Sequence, residues 1–231
     1  MAKLNEWMSV SDLMTGLMII FMFITVAYME RVRETHKVLE DYVETKQQLH
    51  EELSKNFDQE TKMGELTLGN DLSMKFNNAS SLFEPGSSDL NDTFKCKLKK
   101  FLPKYLNTLL SSKFSDQIME IRIEGHTDDK PYSLHSDPYI ANAILSQRRA
   151  LSVLMYMRSM PEYLSMDKDK KKKLDFWFTA NGFSFGKSLD KDGNFTYVTN
   201  NEIDCDKSRR VEFRIITRGE DVLEDFVEKV N

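Results

Sequence analysis

The beginning of the chain is apolar and the remainder is polar. No charged residue occurs in Leu13–Met29, whereas nearly everything after Glu30 is rich in charge. A helix that rises ~1.5 Å per residue over residues 7–29 spans about 35 Å, which is long enough to cross the hydrocarbon of a bilayer. The pattern therefore predicts a short tail over residues 1–6 and one transmembrane helix over residues 7–29, with Trp7 and Tyr28 at the membrane interfaces.

A cleaved signal peptide and a buried soluble helix are the two alternatives for this apolar segment. The tripeptide Ala27-Tyr28-Met29 lacks the small-residue pattern of a cleavage site. The segment is also long for a helix in a soluble core. A membrane helix is the simplest interpretation.

Residues 30–68 carry a different pattern, with apolar positions seven residues apart and charged flanks. No Gly or Pro interrupts this segment before Gly64. The seam predicts a coiled-coil linker that joins two chains in a parallel homodimer, and polar residues on the seam keep a single solvated helical stalk open as the alternative. The seam positions are Val32, Leu39, Lys46 and Leu53, interleaved with Thr35, Tyr42, Leu49 and Asn56.

Residues 69–218 alternate between strand-like and helical patterns, and residues 219–231 form a C-terminal tail. The order suggests a small α/β sandwich with helices on one face of a sheet. Pro103 predicts a kink or a break in the first helix, and the run from Asp167 to Lys173 predicts a polar loop. Strands are predicted at residues 72–76, 117–125, 176–180 and 211–215, and helices at residues 89–110 and 139–157.

Composition excludes several classes of protein. The 231 residues carry 32 basic and 37 acidic side chains, for a net charge of -5, so no overall positive field attracts nucleic acid and no direct nucleic-acid partner is expected. The cysteines Cys96 and Cys205 lie far apart without a CxxC spacing, which disfavours a zinc ribbon. They are candidates for one disulfide if the compartment is oxidising.

Asp12 is an unusual residue for its position at the start of an apolar span. A carboxylate within a membrane helix costs roughly 2.5 to 3.5 kcal/mol on insertion scales. Asp12 either caps the helix from the headgroup zone or carries an ion, either a proton or sodium. A single helix has no pore, so an ion carrier at this position requires partner helices around it.

Four motifs occur in order in the polar part of the chain. They are Leu82-Phe83-Glu84-Pro85-Gly86-Ser87, Gly125-His126-Thr127-Asp128, Asn142 with Leu145-Ser146-Gln147-Arg148-Arg149-Ala150, and Ser208-Arg209-Arg210-Val211-Glu212. Over roughly 150 residues the chain therefore resembles the OmpA-like peptidoglycan-binding family. The one departure is Lys207-Ser208, where the family usually has Asn before the paired arginines.

The resemblance implies that a diaminopimelate group of the cell-wall peptide binds to Asp128 and Arg149. An ammonium and a carboxylate on one ligand require an acceptor and a fork of donors, which is the chemistry of these two residues. Thr127, Asn142 and Leu145 belong to the same motifs and are the further expected binding residues.

Catalytic and metal-binding functions are not expected. His126 with Asp128 and Asp129 is a poor metal set, and the resemblance implies a structural role for His126 at a strand end. The segment Asp190–Asn194 is similar to a calcium loop, but Ser188 and Thr199 occupy positions where an EF-hand needs Asp and Glu, so we predict a surface turn. No G-x-S-x-G element occurs. The chain is expected to have no enzymatic activity, no cofactor and no bound metal.

The segment Asp12-Leu13-Met14-Thr15-Gly16-Leu17-Met18 is similar to the ion-carrying helix of MotB, the flagellar stator B subunit, and Gly125–Tyr132 is also closer to stator B subunits. In that family two B subunits thread through a ring of five polytopic A subunits, and ion flow past the paired aspartates drives rotation. The resemblance implies the same homodimer, the same MotA-like or ZorA-like ring and a transported H⁺ or Na⁺ for this chain.

The short tail and the direct entry into a helical linker favour the ZorB family of Zorya anti-phage systems over flagellar subunits. A flagellar-type stator and a passive envelope anchor are the alternatives. The charges Arg31, Arg33 and Lys37 after the span would place the C-terminal side in the cytoplasm. A peptidoglycan-binding domain has no ligand there, so we predict a single-pass inner-membrane protein with a cytoplasmic N-terminal tail and a periplasmic domain, in which Cys96 and Cys205 pair.

Overall fold

The computed structural model describes residues 2–76, 82–84, 86–131 and 135–220, with side chains from Asp12 onward. Tyr132 and Pro85, from the sequence motifs, and residues 221–231 of the predicted tail lie outside the described residues. The chain divides into two compact units. One comprises Met1–Glu44 and Gly219–Asn231, and the other comprises Thr45–Arg218.

Helix α1 (Ala2–Asn56) supplies most of the first unit. The side chains from Asp12 to Arg31 are all exposed. Among the described residues, α1 is the one helix long and apolar enough to cross a membrane. In the same unit Gly219 contacts Tyr42, and its φ of +92° belongs to the left-handed region that glycine tolerates.

The second unit is a mixed α/β domain built on one five-stranded sheet. The strand order is β1-β2-β5-β3-β4, with β3 and β4 parallel and every other neighbouring pair antiparallel. The strands are β1 (Leu66–Leu68), β2 (Ser73–Phe76), β3 (Ile118–His126), β4 (Phe178–Gly182) and β5 (Arg210–Thr217). The helices that follow α1 are α2 (Asp58–Lys62), α3 (Asp92–Leu109), α4 (Pro138–Ser159), α5 (Pro161–Leu164), α6 (Lys168–Trp177), α7 (Thr196–Thr199) and α8 (Cys205–Ser208).

Alternation along the central strands gives the sheet an apolar face and a charged face. Ile121 and Ile123 of β3 and Phe213 of β5 are fully buried in one core with apolar residues of α3, α4 and α6. The intervening residues, among them Glu124 and Glu212, point to the other face because successive side chains of a strand alternate. The predicted α/β sandwich with helices on one face is confirmed.

The linker prediction is wrong for the second half of its heptad seam. Leu49 and Leu53 have no exposed surface and belong to the core of their own domain, together with Phe57, whose ring lies 5.1 Å from that of Phe101. Asn56 donates a 2.9 Å hydrogen bond to Thr108 of α3. The folded domain therefore begins at Thr45 instead of residue 69, and these seam residues are covered by the same chain. The coiled coil over residues 32–42 stays a prediction.

Two local predictions also differ from the structure. Residues 167–173 are not a loop, because Asp167 caps α6 by accepting a 2.8 Å hydrogen bond from the Lys170 amide, and the helix then continues through Trp177. The predicted strand at residues 176–180 accordingly starts at Phe178. At Pro103 the predicted break does not occur, because α3 continues through this residue to Leu109, and the predicted kink stays a prediction.

Candidate functional site

Two glycines at the ends of β3 and β4 let α4 approach the sheet. A Cβ placed on Gly125 would lie 2.2 Å from the Ser146 carbonyl oxygen, and one on Gly182 would lie 2.4 Å from the Gln147 nitrogen. Real Cβ atoms do not make such contacts, so only glycine fits at these positions. The middle of α4 is thereby held against the carboxyl ends of the two parallel strands.

The strand pairing continues as loop contacts beyond β3. The Thr127 amide donates a 3.0 Å hydrogen bond to the Ser184 carbonyl. Ser184 adopts a φ of +52°, and its own amide donates to the Ser146 hydroxyl at 3.0 Å. Ser184, in its left-handed conformation, therefore connects the loop after β3 and the loop after β4 to α4. These bonds also fix the backbone next to Asp128.

Asp128 follows β3 by two residues and is 5% exposed. Its Oδ2 lies 3.5 Å from a terminal nitrogen of Arg209, and that oxygen accepts no hydrogen bond from the described residues. A buried carboxylate oxygen without a hydrogen-bond donor is costly, so Oδ2 is an acceptor that a cationic ligand would satisfy.

Arg149 projects from α4 one turn beyond the glycine contact and is 7% exposed. Its Nε donates a 2.9 Å hydrogen bond to the Ser87 carbonyl, and its guanidinium lies 4.9 Å from the centre of the Phe83 ring. The segment Leu82–Leu90, which contains the first sequence motif, thus holds the arginine by stacking and by one backbone acceptor.

The other three predicted binding residues lie in the same region with structural contacts. Asn142 donates to the carbonyls of Lys130 and Pro138, at 3.0 and 3.1 Å, and so attaches the loop after Asp128 to α4. Leu145 is 5% exposed and apolar. Thr127 is buried, and its hydroxyl forms no hydrogen bond with any of the described residues. The Asn142 contacts therefore hold the loop that follows Asp128 against α4, the helix that carries Arg149.

The charged face of the sheet holds a buried group of Glu124, His126 and Glu212, whose candidate ligand atoms all lie within 4.8 Å of one another. His126 Nε2 is 3.5 Å from Glu124 and 3.9 Å from Glu212. Burial, together with the charge of Arg210, lowers the pKa of His126 from 6.5 to about 3, so the ring is neutral at pH 7.

Cations already surround this group. Arg210 donates to Glu212, and Lys75 lies 3.9 Å from the same carboxylate. Burial raises the pKa of Glu124, against the opposing charges of Lys187 and Arg214. The arginines and lysines supply the counter-charge that a metal ion would otherwise supply, so the group fits a structural role better than a metal centre.

The two cysteines are free in the structure, so the predicted disulfide is wrong here. Cys96 is exposed on α3, whereas Cys205 opens α8 and is half-buried. Burial, and then the neighbouring Asp128 carboxylate, raise the pKa of the Cys205 thiol. Cys205 therefore lies beside the Asp128 carboxylate, whereas Cys96 lies on the exposed surface of α3.

The segment at Asp190 is a turn, as predicted. The Asp190 carboxylate accepts from the Asn201 side chain at 2.9 Å and from the Asn194 amide at 2.9 Å, and these donors lower its pKa. Thr199 and the Asp192 amide also donate to it at 3.0 Å. Because its oxygens already accept these four bonds, this carboxylate organises the loop and is not available to calcium.

Three contributors to the site were missed from the sequence. They are the Phe83 ring and the Ser87 carbonyl that hold Arg149, and Arg209 beside Asp128. The first and last sequence motifs contain all three, so the motifs carried the signal without the contacts. Asp12, the other predicted functional residue, is exposed on α1 in the first unit.

Comparison with known proteins identifies one relative along almost the whole chain. The chain is 34% identical to the Zorya protein ZorB of Escherichia coli over 224 residues, which cover 94% of this chain and 89% of that protein. No protein-family model matches the chain.

The chain is also similar to solved structures, and the first of the following two shares its fold. A MotB-like protein from Desulfovibrio vulgaris is 20% identical, with a TM-score of 0.51 over 78% of this chain and 98% of its own. The periplasmic domain of Helicobacter pylori MotB is 17% identical, with a TM-score of 0.43 over 67% of this chain and 79% of its own.

Proposed function

The chain belongs to the ZorB family, and from that premise we propose that it is the peptidoglycan-anchored B subunit of an ion-driven rotary motor in anti-phage defence. The observation that carries the proposal is the presence, in one chain, of an apolar helix bearing Asp12 and a folded domain in which a buried oxygen of Asp128 accepts no hydrogen bond from the described residues. An anchor to the wall and an ion-carrying residue are the two parts that a stator B subunit requires.

The wall-binding half of the proposal rests on Asp128 and Arg149. The Asp128 carboxylate accepts from an ammonium group, and the Arg149 guanidinium donates to a carboxylate. Diaminopimelate carries both groups on one carbon and is part of the cell-wall peptide. Because Phe83 and Ser87 fix the arginine, and Gly125 and Ser184 fix the backbone around the aspartate, the site needs little reorganisation to bind this ligand.

The motor half of the proposal rests on Asp12. Its carboxylate binds and releases H⁺ or Na⁺ while it is surrounded by the helices of a ring of five ZorA-like or MotA-like subunits. Two copies of this chain form the homodimer within that ring. The α1 side chains around Asp12 are exposed, and partner helices would cover them.

The proposed topology follows from the ligand. Peptidoglycan lies outside the cytoplasmic membrane, so the domain of residues 45–218 is periplasmic and residues 1–6 are cytoplasmic. The chain is then a single-pass protein of the inner membrane.

Binding of the full chain to purified sacculi tests the anchor. Asp128→Ala and Arg149→Ala should each reduce the bound fraction at least tenfold, because loss of one partner leaves the opposite ligand charge desolvated and unpaired. Asp129→Ala and Arg148→Ala are matched controls, since both side chains are exposed and adjacent. Native circular dichroism must accompany each loss. Retention of sacculi by the Asp128→Ala/Arg149→Ala variant would reject the site.

A further inference from the structure

The Arg209 guanidinium lies between the carboxylates of Asp128 and Asp206. One terminal nitrogen lies 3.5 Å from Asp128 Oδ2, and the other donates a 2.6 Å hydrogen bond to Asp206. The side chains of Arg209, Asp206 and Asp128 are 28%, 70% and 8% exposed. Asp128 has no hydrogen-bond donor on Oδ2 among the described residues, so Arg209 is the nearest cation to this oxygen that the structure records.

We propose that Arg209 is an internal competitor for Asp128, which the ammonium group of the ligand displaces, and that Asp206 retains Arg209 after displacement. This inference rests on the proposed wall-binding function. It assigns to Arg209 and Asp206 the control of affinity, in addition to the ligand contacts of Asp128 and Arg149.

The geometry favours an exchange of partners over a permanent pair. At 3.5 Å the Arg209–Asp128 contact lacks hydrogen-bond geometry, whereas the contact with Asp206 has it. When an ammonium group replaces Arg209 at Asp128, the guanidinium keeps a partner, and no charge is left unpaired. In the free protein the same guanidinium partly neutralises a carboxylate whose burial would otherwise be costly.

The local backbone allows this exchange because Arg209 lies at the end of a capped turn. Asp204 caps α8 by accepting from the amides of Asp206 and Lys207, at 3.0 and 2.9 Å, and the Arg209 amide donates to Cys205 at 3.0 Å. These bonds fix Asp206 and Arg209 on adjacent turns. Only the arginine side chain has to move.

The alternative is that Arg209 itself binds the ligand carboxylate, as Arg149 does. The two roles predict opposite signs for one substitution. If Arg209 competes, Arg209→Gln strengthens binding, and if Arg209 binds the ligand, the same change weakens it. Gln retains hydrogen-bonding ability and much of the side-chain length, so the charge is the main quantity removed.

Isothermal titration of the full chain in detergent with a soluble disaccharide tripeptide that ends in diaminopimelate tests the proposal. Arg209→Gln should tighten binding about two- to fivefold, the range expected for a partly exposed ion pair. Asp206→Asn should weaken binding about twofold, because Arg209 then has Asp128 as its remaining partner. The double variant should match Arg209→Gln, since Asp206 acts only through Arg209.

Lys207→Gln and Glu202→Gln are the matched controls, because each removes one exposed charge from α8 or from the segment just before it. Weaker or unchanged binding by Arg209→Gln would overturn the proposal, and so would a double variant that resembles Asp206→Asn. Asp128→Ala distinguishes failure of the wall-binding function from failure of the competitor role. If it leaves binding unchanged, the wall-binding function fails, and if it abolishes binding while Arg209→Gln does not tighten it, only the competitor role fails.

Discussion

The α-carbon of Gly125 lies against the main chain of Ser146, so closely that a methyl group on residue 125 would stand 2.2 Å from the Ser146 carbonyl oxygen. This contact joins β3 to α4, the two elements that carry Asp128 and Arg149. The distance between Asp128 and Arg149 therefore depends on the lack of a side chain at residue 125.

Gly125→Ala should displace α4 from the strand end and lower the stability of the domain by about 1–3 kcal/mol, the usual result of overpacking against a backbone that cannot yield. Thermal unfolding of the full chain in detergent measures the change. Gly186→Ala is the control, because a Cβ at residue 186 would approach no atom closer than 3.4 Å. An equal, small effect of both substitutions would contradict the close contact.

Leu53→Ala should destabilise the domain by about 2–5 kcal/mol, since it removes a fully buried side chain from the core. Val43→Ala, in the same helix at a 53% exposed position, should change the stability little. A cysteine at Leu49 should for the same reason form few crosslinks between chains. Efficient crosslinking there, without loss of folding, would restore the coiled coil over the whole seam.

The neutral, buried His126 makes stability depend on pH. Its pKa is lowered in the fold from 6.5 to about 3, so the unfolded chain binds a proton that the folded chain does not bind below pH 6.5. Stability is therefore lost as the pH falls from 6.5 towards 3, by about 2 kcal/mol between pH 7 and pH 5.

His126→Gln should abolish this part of the pH dependence. The surrounding groups, Glu124, Glu212, Arg210, Lys187 and Lys75, are present in both proteins, so the difference between wild type and variant isolates the histidine. Thermal unfolding at pH 7 and pH 5 provides the measurement. Parallel pH profiles for the two proteins would show that folding leaves the pKa of His126 unchanged.

The two thiols should react at different rates. Cys96 is exposed, whereas Cys205 is half-buried and has a raised thiol pKa, so its reactive thiolate forms at higher pH. Maleimide labelling at pH 7 of protein isolated without reductant should modify Cys96 first, and labelling of Cys205 should increase as the pH rises. A mass 2 Da lower, with no labelling of either residue, would demonstrate the disulfide instead.

Asp12→Asn should abolish anti-phage protection while leaving expression, sacculus binding and copurification with the ring subunit intact. Asn resembles Asp in shape but does not exchange a proton. Asp12→Glu is the informative partner, because it keeps the carboxyl group and should retain part of the activity. Full protection by the Asn variant would favour a passive anchor.

The central sheet was predictable because strand alternation is a local property. Apolar residues two positions apart predict a buried face of a strand, as at Ile121 and Ile123 and again at Val211 and Phe213. Helix α6 was not predictable from the sequence. Its run of lysines leaves only Leu174 and Trp177 buried, and two positions are too few to establish a helical period.

The coiled-coil prediction for the linker was wrong for a different reason. A seam with a period near 3.5 residues shows that one face of a helix is covered, but it does not identify the cover. A second chain and the domain's own core would both require apolar residues at Leu49 and Leu53. Likewise the motifs supplied Asp128 and Arg149, whereas the sharing of Arg209 between two carboxylates depends on how the loop folds.

Burial of Leu49, Leu53 and Phe57 in the domain limits how far the protein can stretch under load. Residues 30–44 lie between the predicted end of the membrane helix and the domain; these 15 residues span about 22 Å as part of helix α1 and reach at most about 50 Å when fully extended. Any further slack requires these three side chains to be pulled out of the core. Beyond the full extension of residues 30–44, a wall-bound copy therefore resists tension through hydrophobic packing. The distance between membrane and wall then limits where the complex can bind the wall.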